Sequence, residues 1–361
     1  GLARADGRPM TADCAYHVAS IGKLMTTALV LQLAEAGRFG PGGIDAPLGD
    51  LGLLEDSLLS RLHTRGGTVL GYGITLRQLL THTAGLGDAF ADDASGTADD
   101  LGGPAPESLG PALWRSLKAR RDSTVRDDDL CARRWAVWDP ARPDDPEAGL
   151  LNRYLAQLGA APPFLPGERF HYSDQGFTLL ALLVERSAGR PYAELQDQRI
   201  FMPLGLTGSW MHGRQSPPGD LADRECDVWM NGVSLQGVGA NLSFDFGGGG
   251  QVMTAEDQIR FLNALLTGRL FDRPGTLAAL TDWTTPPGLQ APRTAIGLGV
   301  QRWAIPDGSA QMTGHAGAWG AQLWRDPRTG ATLAGTVNQR HDGAWAFALL
   351  EDVHSIQEGE P

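Results

Sequence analysis

Ser20-Ile21-Gly22-Lys23, running straight into Leu24-Met25-Thr26-Thr27-Ala28-Leu29, is the stretch that decides how this chain folds. Between Ser20 and Ala36, the apolar residues Ile21, Leu24, Met25, Ala28, Leu29, Leu31 and Leu33 cover most sides of a helix. That pattern predicts a buried helix rather than a surface one. Ser20 stands where an N-cap would, and Gly37 ends the helix. Residues three apart share a helical face, so Ser20 and Lys23 lie one turn from each other. A serine at a helix start also has unpaired backbone N–H groups and the positive dipole end beside it. Its hydroxyl becomes a nucleophile if a neighbour takes the proton, and a desolvated lysine amine can do so. On spacing alone a plainer reading stays open, a capping serine followed by an ordinary helix lysine. Of the 30 basic residues only Lys23 and Lys118 are lysines. Lysine can lose its proton inside a protein and arginine cannot, which draws attention to Lys23.

Two other stretches bear on chemistry. Tyr172-Ser173-Asp174 follows Pro166-Gly167-Glu168 and precedes a second apolar helix, Gln175 to Ser187. A tyrosine there can bring its phenol to a cleft, and beside an ammonium its phenolate is favoured. It can equally be a packing tyrosine with Asp174 as helix cap. Gly314-His315-Ala316-Gly317-Ala318-Trp319 lies between predicted strands. Small residues around a polar one let a ligand approach an edge-strand backbone, or simply make a turn with a solvent-facing histidine.

The rest of the chain supplies the frame. Leu76 to Leu80 and Leu150 to Leu158 read as short helices, and Pro191 opens another that runs to about Phe201. Gly247 to Gly250 reads as a glycine turn, and Thr254 caps a helix through Leu266. Ile296 to Ile305, Gly320 to Asp326 and Ala331 to Asn338 read as strands, the last two joined by the turn at 326–330. Ala344 to Ile356 reads as a final helix. Strands near the ends and helices in the middle suggest an α/β lobe with a helical lobe inserted. The sheet lobe comprises 1–75 and 243–361, and the helical lobe 76–242 with an irregular cover at 87–161.

Composition narrows the function. The 361 residues carry 42 acidic and 30 basic side chains, a formal charge of −12. A nucleic-acid binder needs surplus cation, so that class falls behind. With 42% hydrophobic residues the chain can bury a sizeable core. Cys14, Cys131 and Cys226 are too few and too far apart for a disulfide framework or a CxxC site. No apolar run is long enough to span a membrane. There is no G-x-S-x-G elbow, H-E-x-x-H, Walker loop or G-x-G-x-x-G.

Taken together, these residues resemble the serine β-lactamase and penicillin-recognising superfamily, in particular its class C-like branch. That branch includes family VIII carboxylesterases, D-alanyl-D-alanine carboxypeptidases and D-aminopeptidases. Its boxes S-x-x-K, Y-x-N or Y-x-S, and K-T-G or H-x-G match Ser20-Ile21-Gly22-Lys23, Tyr172-Ser173-Asp174 and His315-Ala316-Gly317. Leu79 to Leu86, Pro166-Gly167-Glu168, Gly249 to Asp257 and Gly335 to Gln339 also look like the family. The resemblance implies an α+β, β-lactamase/transpeptidase-like fold, an antiparallel sheet flanked by helices with an inserted helical lobe, and a metal-free serine hydrolase without cofactor. It implies Ser20 as nucleophile, Lys23 and Tyr172 sharing the proton work, and the N–H groups of Ser20 and Ala318 as oxyanion hole. Gly317 would permit close approach, His315 would line the cleft and hold a carboxylate when protonated, and Trp319 would sit in the cleft wall. Asp174, where the family has an amide, would favour the ammonium form of Lys23 and move base work toward Tyr172. His315, where K-T-G has a lysine, is mostly neutral near pH 7 by its reference pKa of about 6.5, and both changes lean toward a neutral ester, amide or peptide as the small-molecule partner. An acyltransferase or cyclase on the same site, or a sensor that acylates once, are the rival readings. The resemblance slightly favours a secreted or periplasmic setting. In the family a helix and a strand hairpin precede the S-x-x-K helix, so a missing N-terminal segment, or a neighbour's strand in its place, is expected beside the C-terminal strands.

Overall fold

A computed structural model describes residues 1–92, 109–122, 133–158, 163–305 and 311–340. The expected helix Ala344 to Ile356 and Cys131 lie outside the described residues. In chain order the elements that position the site are β1 (Ala15–His17), α1 (Lys23–Glu35), α2 (Leu76–Leu80), α3 (Leu109–Arg121), α4 (Leu150–Gln157) and α5 (Asp174–Ala188). Then come β2 (Ser209–Met211), β3 (Gln251–Thr254), α6 (Ala255–Leu266), β4 (Arg293–Ile296), β5 (Gln301–Ala304), β6 (Gln311–Ala316), β7 (Ala321–Arg325) and β8 (Thr332–Thr336). Strands β4 to β8 form one antiparallel sheet in the order β8-β7-β6-β5-β4, while β3 pairs with β1 on one side and β2 on the other.

α1 is buried nearly all round, with Leu24, Met25, Ala28, Leu29, Val30 and Leu33 fully enclosed. It packs against α5, whose Phe177, Leu179, Leu180, Leu183 and Val184 join the same apolar core. α5 is delimited as its residues dictate. Ser173 accepts from the N–H of Gly176 at its start, and Gly189 takes the left-handed conformation at its end. α6 covers β7 and β8, and Thr254 caps it by accepting from the N–H of Asp257.

Three local expectations need correction. Ser20 is not an N-cap; it lies inside a 3-10 turn, Ala19–Gly22, that leads into α1, and Ala19 before it adopts φ 47. The sharp exit from β1 forces that left-handed residue, which is costly for alanine. The predicted strand 296–305 is two strands, because Gly299 at φ 68 turns the chain between β4 and β5. His315 is not in an edge strand or turn but on β6, at the centre of the five-stranded sheet. At the N-terminus Leu2 bridges Pro9 and accepts from the Asn338 amide just past β8 at 3.2 Å, and Ala3 accepts from the N–H of Asp227. Among the described residues β8 pairs only with β7.

The glycine run at 247–250 is a helical turn, Phe246–Gly249, pressed onto the Ser20 turn. A Cβ on Gly249 would fall 2.2 Å from the carbonyl carbon and oxygen of Ala19. Gly249→Ala is therefore expected to cost about 1–3 kcal/mol, the overpacking range, and to lower kcat by displacing Ser20. Urea unfolding and steady-state kinetics check both; an unchanged kcat would show that the turn tolerates the shift.

Candidate active site

Three distant parts of the chain meet at Ser20. The Lys23 ammonium donates to Ser20 Oγ at 3.0 Å and to the Gly248 carbonyl at 3.0 Å. It also forms a close ion pair with Asp174. The Tyr172 phenol donates to Ser20 Oγ at 2.8 Å. Helical spacing places Lys23 a turn from Ser20, and the start of α5 presents Asp174 to it. Because Ser173 caps α5, the Asp174 carboxylate is free to pair with Lys23. Lys23 is fully buried, whereas the other lysine, Lys118, is exposed on α3.

Electrostatics decide which groups are charged. Burial disfavours the Lys23 ammonium, but Asp174, Tyr172 and Asp245 outweigh it and hold the pKa above its ordinary value. Tyr172 behaves opposite to the expectation from its cationic neighbour. Burial, helped by Asp174, outweighs the pull of Lys23 and pushes the phenol up to about 12. The resting site therefore contains an ammonium and a neutral phenol, both bonded to the serine oxygen.

A cavity of about 280 Å³ opens over Ser20. Apolar side chains of Phe90, Leu113, Leu117, Met230, Leu242 and Phe244 wall it, and Ala318 and Trp319 close one side. The N–H groups of Ser20 and Ala318 have no backbone acceptor among the described residues. Gly317 lets the end of β6 touch the Ser20 turn, since a Cβ there would lie 2.2 Å from the Val18 carbonyl oxygen. The close approach is thus of one backbone to another.

His315 is placed differently from the cleft-lining role implied for it. Its ring is buried at 2% exposure, Nδ1 donates to the Ala316 carbonyl at 2.7 Å, and Nε2 lies 3.1 Å from the Gln301 amide nitrogen. With both nitrogens engaged inside the sheet, burial and the nearby Lys23 push its pKa down to about 3. A neutral, enclosed imidazole has no charge with which to hold a carboxylate. The shift has a stability consequence. The unfolded histidine takes up a proton below about pH 6.5 and the folded one does not, so stability falls as pH drops from about 6.5 toward 3. From pH 7 to 5 the loss from this group is about 2 kcal/mol. His315→Gln is expected to flatten that part of the stability–pH curve in urea titrations; an equally steep curve would mean the imidazole is not held neutral.

Several residues at the site carried no signal in the sequence. Asp88 and Asp245 line the same cavity as Asp174. Burial followed by repulsion from Asp174 raises both, Asp88 well above the carboxylate range and Asp245 to about 6. His82, at φ 53, stacks on the Tyr172 ring at 4.4 Å and accepts from the N–H of Ser173 through Nδ1. Arg293, on β4, lies 5.6 Å from the centre of the Tyr172 ring and donates to Gln301. Arg340 lies over Trp319 at the cavity wall. Only the Thr81-His82-Thr83 stretch, already part of the resemblance, could have pointed to any of these.

Residues 2–353 match the protein family described as Beta-lactamase. Esterase EstB of Burkholderia gladioli is 27% identical over 298 residues, which cover 77% of this chain and 64% of that protein. The chain thus spans less than two thirds of EstB. Penicillin-binding protein 4* of Bacillus subtilis is 22% identical over 371 residues, 98% of this chain and 67% of that one. Among solved structures, a D-amino acid amidase from Ochrobactrum anthropi superposes with a TM-score of 0.70 at 21% identity, over 100% of this chain and 89% of that one. At such identity the likeness shows the shared fold.

Proposed function

The chain belongs to the β-lactamase family, and on that footing we propose that it is a serine hydrolase that cleaves an ester or amide through a Ser20 acyl-enzyme. The observation that carries this is the Ser20 hydroxyl held between Lys23 at 3.0 Å and Tyr172 at 2.8 Å on the wall of an apolar cavity.

The charge states assign the steps. Ser20 Oγ attacks the acyl carbon, and its proton passes to the Tyr172 oxygen as the phenolic proton moves to the leaving group. The relay needs no preformed phenolate, which a phenol titrating near 12 would rarely supply at neutral pH. The Lys23 ammonium stabilises negative charge developing on the phenol and on Oγ. The N–H groups of Ser20 and Ala318 serve the tetrahedral oxyanion, typically several kcal/mol of stabilisation. Water then attacks the acyl-enzyme with the relay reversed, releasing acid and free Ser20.

The cavity sets the acyl group. Its apolar walls favour a hydrocarbon or aromatic acyl part, and Asp245, ionised above about pH 6, disfavours a second carboxylate near the ester or amide. Esterase and D-aminopeptidase relatives, at 27% and 29% identity, support the same two bond classes. The test is a panel of p-nitrophenyl esters of graded chain length, D- and L-amino-acid amides, and a cephalosporin. Multiple turnover of an uncharged ester or a D-amino-acid amide, with slow turnover of the anionic cephalosporin, is expected. A single burst without turnover would instead indicate a sensor that acylates once. Acyl transfer is the second reading, favoured by the apolar walls, which would accept an organic nucleophile beside the acyl group. An added alcohol that diverts product from acid to ester would establish it.

A further inference from the structure

Away from Ser20, three side chains with metal-binding atoms converge from three segments of the chain. His17 ends β1, His212 follows β2, and Glu225 lies beside β1 through a parallel bridge between Glu225 and Ala15. The sheet puts both histidines on one face. His17 and Trp210 each oppose Val252 of β3, and His212 is two residues beyond Trp210. His17 Nε2 is 3.0 Å from Glu225 Oε1, and the donor atoms of all three residues lie within 4.8 Å of one another. The imidazole rings of His17 and His212 are 4.8 Å apart at 62°.

We propose that His17, His212 and Glu225 bind one divalent zinc-class cation, which ties β1, the end of β2 and the segment at 225 together behind the nucleophile turn. Two imidazoles and a carboxylate are a donor set that zinc accepts, with its fourth position left to water. With ligands at about 2.1 Å, tetrahedral zinc separates donor atoms by about 3.3 Å and bound imidazole centres by about 5 Å. The His17–Glu225 and ring–ring separations already lie near those values. The remaining donor distances must close by at most about 1.5 Å, within reach of side-chain rotation. His212 is the unspent member. Its ring nitrogens have no hydrogen-bond partner among the described residues, whereas a satisfied ion pair needs only His17 and Glu225. Outer support is also present. Ala15, Trp210, Leu221 and Val252 form an apolar cluster on the histidine face. The ion takes no part in the acyl-transfer steps. It fixes β1, from which the chain turns directly into Ser20.

The test uses chelator-treated wild-type chain titrated with zinc chloride, followed by calorimetry, metal analysis after dialysis and thermal unfolding. The expected result is about one zinc per chain with submicromolar Kd, and a Tm increase of several degrees. His212→Ala and Glu225→Gln should each weaken binding at least tenfold. His212 is partly exposed and Glu225→Gln is isosteric, so folded variants are expected; the wild-type stoichiometry decides independently of them. Well under one zinc per chain in the wild type, or zinc binding undiminished in both variants, overturns the proposal.

Discussion

Ser20→Ala is expected to abolish turnover, lowering kcat by about 10⁴-fold or more, the scale of losing a serine nucleophile. A fluorophosphonate should label wild-type protein on the peptide containing Ser20 and leave the variant unlabelled. The physical reason is specific to this hydroxyl. It faces a cavity and receives hydrogen bonds from an ammonium and a phenol. Ser173 and Ser243 adjoin the cavity-lining Tyr172 and Leu242 in the chain, but their hydroxyls are spent on backbone partners and they are 3% and 2% exposed. Folding should be little affected, since alanine keeps the turn. A variant that retains activity, or an adduct mapped to another serine, would remove Ser20 from the reaction.

The second large effect is at Tyr172. Tyr172→Phe should lower kcat by about 10²-fold or more, the general acid–base range, with little change in KM. The ring and its stacking on His82 survive in the variant, so only the proton relay is lost. The pH profile gives a second readout. Lys23 titrates above its ordinary value and Tyr172 near 12, so neither changes charge between pH 7 and 9. kcat/KM should be flat over that range, with an acid limb near pH 6 where Asp245 takes up a proton. A limb rising steadily from pH 7 to 9 would mean that a deprotonated base, Lys23 or a phenolate, does the work.

Much of this site is local in the sequence, and the rest is not. The Ser20–Lys23 pair is fixed by helical spacing, the buried α1 by its nearly unbroken apolar composition, and the α6 cap by Thr254 three residues before Asp257. The hairpin at 326–330 follows from turn residues between two short strands. These features need only a few neighbouring residues, so a window of sequence contains their causes. Fold class and family were legible for the same reason, since each motif is short and rigid.

Tertiary structure decided the electrical state of the site. Lys23 and Asp174 are 151 positions apart, and Asp88, Asp245 and Arg293 join them from three other segments. A nearest-charge argument predicts a lowered tyrosine and a partly charged histidine. The folded site raises Tyr172 and leaves His315 neutral, because loss of water outweighs the attraction or repulsion of any single neighbour. Desolvation depends on everything that surrounds a group, and those surroundings exist only once the chain has folded.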